Sequence, residues 1–210
     1  MSRPPNARVI AGAVLGGVLL GALDLLAQRV LPYPWANLAN SAAVWAVGAF
    51  AIGAWVRTGP VRPAVAGALL LVVAVESYYL AAALVQHDNL SNMWAVPTLR
   101  WLAFGVLAGV VFGTAGRLAR AGNRWLGALG VALPGAVLLA EAAVLARRAG
   151  TGDAAYRVDS LSTAAIQLAL AVAVVLLAGR DRWRRLVGLG LSVPLALLGL
   201  AGFLLAGFGG

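Results

Sequence analysis

The sequence predicts an all-α fold, a polytopic transmembrane helical bundle forming one domain over residues 1–210. Three observations carry that expectation. Of 210 residues, 62% are hydrophobic and only 11% charged, where a soluble domain carries about a quarter charged residues. The apolar residues gather in runs of roughly 20, the length of a bilayer crossing. Between the runs stand Pro, Gly, Asn and Arg, which punctuate helices. Lipid must therefore cover most of the surface.

The first predicted span covers about Val9 to Val30 and the second about Asn37 to Val56, after a Pro32-Tyr33-Pro34-Trp35 turn. Pro63 starts a third over about Ala64 to Val85, and Pro97 a fourth over about Thr98 to Leu118. The fifth runs over about Leu126 to Leu145, the sixth over about Leu161 to Ala178 and the seventh over about Leu186 to Phe208. Periodicity does not arbitrate, because the runs are apolar all round. Length and punctuation do. The segments Gln86 to Pro97 and Ala149 to Ser160 are the longest loops. A count of six or of seven fits the chain length.

The basic residues orient the bundle. All 16 are Arg. With the N-terminus inside, the inner segments carry Arg3, Arg8, Arg57, Arg62, Arg117, Arg120, Arg124, Arg180, Arg182, Arg184 and Arg185. The outer ones carry only Arg29, Arg100, Arg147, Arg148 and Arg157. The positive-inside rule thus favours seven spans with the N-terminus inside. Trp35 and Trp55 are spaced to mark the two interfaces of the second span. The short basic N-terminus precedes an apolar run that continues past Asp24, so it reads as a retained span rather than a cleaved signal.

Composition also excludes chemistry. Without Cys there is no disulfide, thiolate nucleophile or Cys metal site. Without Lys there is no retinal-type Schiff base. The arginines sit between apolar runs rather than in one patch, which argues against nucleic acid. No P-loop, dinucleotide fingerprint or metal motif occurs. His87, the only histidine, stands in a loop. No cofactor is expected, and nothing marks the chain as an enzyme. A membrane enzyme acting on a lipid or isoprenoid stays as the weaker alternative, since no metal-binding acid pair such as Asp-x-x-x-Asp occurs.

Acids inside the apolar runs are the candidate site. From the predicted inner ends, Asp24, Glu76 and Glu141 lie about 22, 18 and 22 Å deep. In a core about 30 Å thick all three fall in the outer half. Gln167 reaches a similar level from outside. Gln28, Asn37, Asn40, Tyr79 and Arg100 stand nearby in the predicted topology. Each acid costs a few kcal/mol in lipid and marks function by default. Gly17, Gly21, Asp24 and Gln28 share one helical stripe, as do Asn37, Asn40, Ser41, Trp45 and Gly48, and Gly127, Gly130, Pro134 and Glu141. Small residues beside polar ones mark helix–helix contacts.

The expected role is solute binding or transport through an outward-facing polar cavity. Its ligand would be a small molecule, an ion or a proton, held by Asp24, Gln28, Asn37, Asn40, Glu76, Tyr79, Arg100, Glu141 and Gln167. The alternative is a structural or accessory subunit in which these groups are bundle glue and Asn37 and Asn40 are helix caps. Glycine-rich stripes also leave room for a homo-oligomer or a membrane partner. The Arg180 to Arg185 cluster could meet anionic headgroups or serve only topology.

The chain resembles a family of small multi-pass membrane proteins of high-GC bacteria. The likeness rests on Asp24, Leu31-Pro32, Leu38-Ala39-Asn40-Ser41 running into Trp45 and Ala49-Phe50, Tyr78-Tyr79, Phe112-Gly113, Ala115-Gly116 and Glu141-Ala142. It implies a multi-pass protein of the bacterial cytoplasmic membrane and no particular activity. A looser resemblance is to the substrate-binding subunits of energy-coupling-factor vitamin transporters, through Ala7-x-x-x-Ala11, although seven spans depart from their six.

Overall fold

The computed structural model describes residues 6–56 and 59–207. Arg3 and Arg57 of the topology count, and Phe208 at the end of the seventh predicted span, lie outside the described residues. The helices are α1 (Asn6–Val30), α2 (Trp35–Ala39), α3 (Ala42–Val56), α4 (Arg62–Gln86), α5 (Val96–Ala119), α6 (Arg124–Arg148), α7 (Ala154–Ala178) and α8 (Arg182–Leu205). A 3-10 turn over Leu90–Trp94 precedes α5.

Six of these, α1 and α4 to α8, are long and apolar enough to cross a bilayer. Each has 24 or 25 residues, about 36–38 Å of helix. The chain is accordingly an integral, multi-pass membrane protein by length and composition. Large apolar side chains such as Leu177, Leu198 and Leu205 stand exposed, as lipid-facing positions do.

The second predicted span departs from expectation. It is not continuous: α2 ends at Ala39 and α3 starts at Ala42. The side chains of Asn40 and Ser41 can bond locally and compete with helical backbone bonds. Alone, α3 has 15 residues, about 22 Å, short of the hydrocarbon core. The sixth predicted span also starts earlier, at Ala154. Asp153 accepts the Tyr156 N–H at 2.8 Å and so caps seven residues that were assigned to a loop.

The chain divides into two compact units. The first comprises residues 6–29 and 45–117, with α1, most of α3, α4 and α5. Its apolar core includes Val9, Ala13, Ala49, Ile52, Val56, Leu70 and Leu71. Glycines set the helix spacing. A Cβ on Gly21 would collide with the Ala74 carbonyl of α4, one on Gly67 with the Gly109 carbonyl of α5, and one on Gly53 with the Gly113 carbonyl. Without a hydrophobic drive between helices in lipid, such close backbone packing is a main source of association.

The second unit comprises residues 30–44 and 118–207. Here α6 packs against both α7 and α8, and α2 rests on α7. Gly127, Gly130 and Pro134 of α6 are all buried. Ser192 of α8 donates to the Ala132 carbonyl at 3.0 Å, tying α8 to α6. Pro134 and Pro194 both lie inside helices, where each removes one backbone donor.

Candidate functional site

The residues expected to line a site fall in both units. Asp24, Gln28, Glu76, Tyr79 and Arg100 belong to the first, and Asn37, Asn40, Glu141 and Gln167 to the second.

In the first unit, α1 places Gly17, Gly21 and Asp24 on its buried stripe. One Asp24 oxygen accepts from Gln28 Nε2 at 2.9 Å, one turn later. The other accepts from the Trp45 indole N–H at 3.1 Å. Asp24 is thereby held on both oxygens and is only 7% exposed. Glu76, on α4, differs. Its Oε2 is buried and meets no hydrogen-bond donor among the described residues. Tyr79 is half-buried and makes an edge-to-face contact with Tyr78, centroids 5.5 Å apart. Arg100 is exposed on α5. Arg29, at the end of α1, donates instead to the Val85 carbonyl of α4 at 3.0 Å.

In the second unit, the break between α2 and α3 organises a tighter cluster. A helix start leaves N–H groups without intrahelical partners, and in a membrane these must be met from within the protein. Glu141 of α6 meets one: its Oε2 accepts the Ala43 N–H at 2.9 Å. The same oxygen accepts the Ser41 hydroxyl at 2.6 Å and Gln167 Nε2 of α7 at 3.1 Å. Ser41 Oγ in turn accepts the Val44 N–H and Gln167 Nε2, each at 3.2 Å.

Ser41 is 1% exposed and Gln167 fully buried. All of Gln167's donor capacity points at this cluster, while its Oε1 is buried with no donor among the described residues. Asn37 lies one layer away and donates to Thr163 Oγ1 at 3.4 Å. Asn40 ends α2, its backbone N–H bonding the Ala36 carbonyl, and its side chain is exposed.

Chemically, the cluster is a carboxylate on a helix start, with a hydroxyl and an amide completing it. Its buried acceptor without a donor among the described residues is Gln167 Oε1. Among the described residues no three His, Asp or Glu gather as a metal-holding group. Thr163 was not singled out from sequence, although Ser160, Thr163 and Gln167 recur at helical spacing on α7, and all three are buried. The Ala43 N–H had no sequence signal, because its availability depends on the helix break.

A family model, DUF6518, described as a family of unknown function, matches residues 2–207. No curated protein and no solved structure matches the chain.

Proposed function

Because the chain belongs to DUF6518, a family of unknown function, we propose a role from its geometry: a small-solute- or ion-binding protein, transport-like, of the bacterial cytoplasmic membrane. The site is the interrupted second span, with Ser41, Glu141 and Gln167 at its centre and Asn37 and Thr163 beside them. The observation that carries this reading is the fully buried Gln167, whose Oε1, beside a carboxylate, has no donor among the described residues. A buried acceptor left unmet costs about 1–3 kcal/mol. A ligand bearing N–H groups or positive charge would recover that cost and complement Glu141. Interrupted helices recur at the midplane sites of secondary transporters.

By sequence length, residues 35–56 count as one interrupted crossing, so the proposed topology has seven spans with the N-terminus inside. Asp24 and Glu76 would serve the same role from the first unit, as further acceptors for cation or proton.

The test is melting of the purified protein in detergent with methylammonium, guanidinium or sodium chloride at matched ionic strength. Stabilisation by one of the three that Gln167→Leu abolishes supports the reading. Equal melting in all three, with no uptake of any into proteoliposomes, sinks it.

A second reading has its own support. Glu141 Oε2 already accepts three hydrogen bonds, which suits a purely structural cap in an accessory subunit. Under that reading Glu141→Gln and Gln167→Leu lower folded yield and alter no ligand response.

A further inference from the structure

The end of the second unit where α6 and α8 begin and α7 finishes is distinct from the polar cluster. It brings together Arg124 on α6 with Arg180, Arg182, Arg184 and Arg185 before and on α8. Trp125 and Trp183 close the two helix starts edge to face, with centroids 4.8 Å apart. The Arg124 guanidinium lies over both rings, 5.0 Å from the Trp183 centroid and 5.9 Å from that of Trp125.

The five arginines divide by what they touch. Arg184 is 6% exposed and spent on structure. It donates to the Ala119, Ala121 and Gly122 carbonyls at 3.2, 2.8 and 3.3 Å and pairs with Asp181 at 3.2 Å. Arg180 and Arg185 each use one N–H on a carbonyl, of Arg120 and Gly179 respectively. Arg124 and Arg182 are exposed and donate to nothing among the described residues. Asp181, the one acid here, is engaged by Arg184 through both oxygens.

Placement makes this arrangement informative. Neither α6 nor α8 carries an acid in its first turn, yet both carry arginine there. Helix starts favour anions and disfavour cations by a few tenths of a kcal/mol or more. The Asn123 and Asp181 side chains already cap the two starts, so what an anion seated there would meet is the exposed guanidinium charge of Arg124 and Arg182. Trp125 is 58% exposed beside them, and exposed Trp marks the headgroup level of a membrane. Basic pockets between helix ends at that level suit lipid phosphates.

We propose that Arg124, Arg182 and the Trp125–Trp183 pair form a binding site for the phosphate of an anionic phospholipid headgroup. Arg124, held over the rings, directs its N–H edge at the phosphate. Arg182 and Arg185 approach from α8, and the Trp rings lie along the glycerol and upper acyl chain. Arg184 fixes the α5–α6 turn, so the site is preformed.

The experiment uses the full chain, delipidated in detergent, with phosphatidylglycerol, phosphatidylcholine or inorganic phosphate added. Melting and lipid retained in native mass spectrometry are read together. Phosphatidylglycerol is expected to raise the melting temperature and to remain bound, while the other two do neither. Arg124→Gln with Arg182→Gln should weaken retention about thirtyfold, from roughly a factor of five per arginine at an anionic surface. Arg147→Gln, at the far end of α6, should leave it unchanged. Both variant positions are exposed and their side chains donate no hydrogen bond among the described residues, and melting without lipid reads any loss of the Arg124 contact with the Trp rings. Equal effects of phosphatidylcholine and phosphatidylglycerol, or full retention by the double variant, would overturn the proposal. An equal shift with inorganic phosphate would assign the site to free phosphate instead, which also overturns it.

Discussion

Ser41 Oγ donates to Glu141 Oε2 at 2.6 Å across one hundred residues of sequence. That bond closes a helix start that would otherwise open inside an apolar layer. The Ala43 N–H and the Gln167 amide converge on the same oxygen, so one carboxylate holds the start of α3 to α6 and α7.

Glu141→Ala should therefore be costly. It strips the acceptor from a hydroxyl, a backbone N–H and an amide at once, each worth about 1–3 kcal/mol when left buried and unmet. A loss of about 3 kcal/mol or more is expected in reversible unfolding in mixed micelles. Glu141→Gln, which retains an acceptor oxygen, should lose less than half as much. Equal losses would mean that Oε2 is not what holds the helix start.

Asp24 makes a smaller and separable prediction. Trp45→Phe keeps an aromatic ring but removes the second ring of the indole and with it the N–H that reaches Asp24 at 3.1 Å. A cost of about 1.5–3 kcal/mol follows for a hydrogen bond to a charged group, or about 1 if the acid is neutral. Combined with Asp24→Asn, the two changes should be less than additive. Additive costs would show that the pair is not coupled.

Two glycines separate packing from propensity. Gly21→Ala drives a methyl group into the Ala74 carbonyl, which belongs to backbone and cannot turn aside. A loss of about 1–3 kcal/mol is expected from overpacking. Gly190→Ala meets nothing within 4 Å among the described residues and should be neutral or slightly stabilising through helix propensity. Indistinguishable melting of the two variants would contradict the close approach of α1 and α4.

Arg184 should behave as a structural residue rather than a surface charge. Arg184→Lys keeps the charge but cannot reach three carbonyls with a planar fork. Limited proteolysis between Ala121 and Asn123 should accelerate several-fold in Arg184→Lys and in Arg184→Ala alike. Protection by lysine would show that charge alone suffices.

The proposed topology is open to direct labelling, since the chain has no cysteine of its own. Single cysteines at Asn89 and Gly152 should react with an impermeant maleimide in intact cells, and one at Gly122 only after permeabilisation. The reverse pattern would mean that residues 35–56 do not cross or that the bundle is inverted, and either overturns the proposed topology.

Composition and run length determined the membrane architecture and most helix positions. Burying a long apolar run in lipid requires only that its own backbone bonds be satisfied, and a helix does that locally. The Gly17–Gly21–Asp24 stripe was legible for the same reason, because helical spacing fixes which residues share a face. Thr163 and the cap at Asp153 were within reach of the same reasoning. Only the tertiary structure decided the rest. Whether residues 37–56 form one helix or two depends on Glu141 arriving to accept the N–H and hydroxyl of the break and on Gln167 arriving to donate to Ser41 Oγ. Those partners come from about 100 and 126 residues away, a distance over which no local pattern carries information. The acids that looked alike in sequence, all single carboxyls in apolar helices, separated for the same reason. Asp24 and Glu141 are met by donors from other helices, whereas Glu76 keeps a buried oxygen without a donor among the described residues.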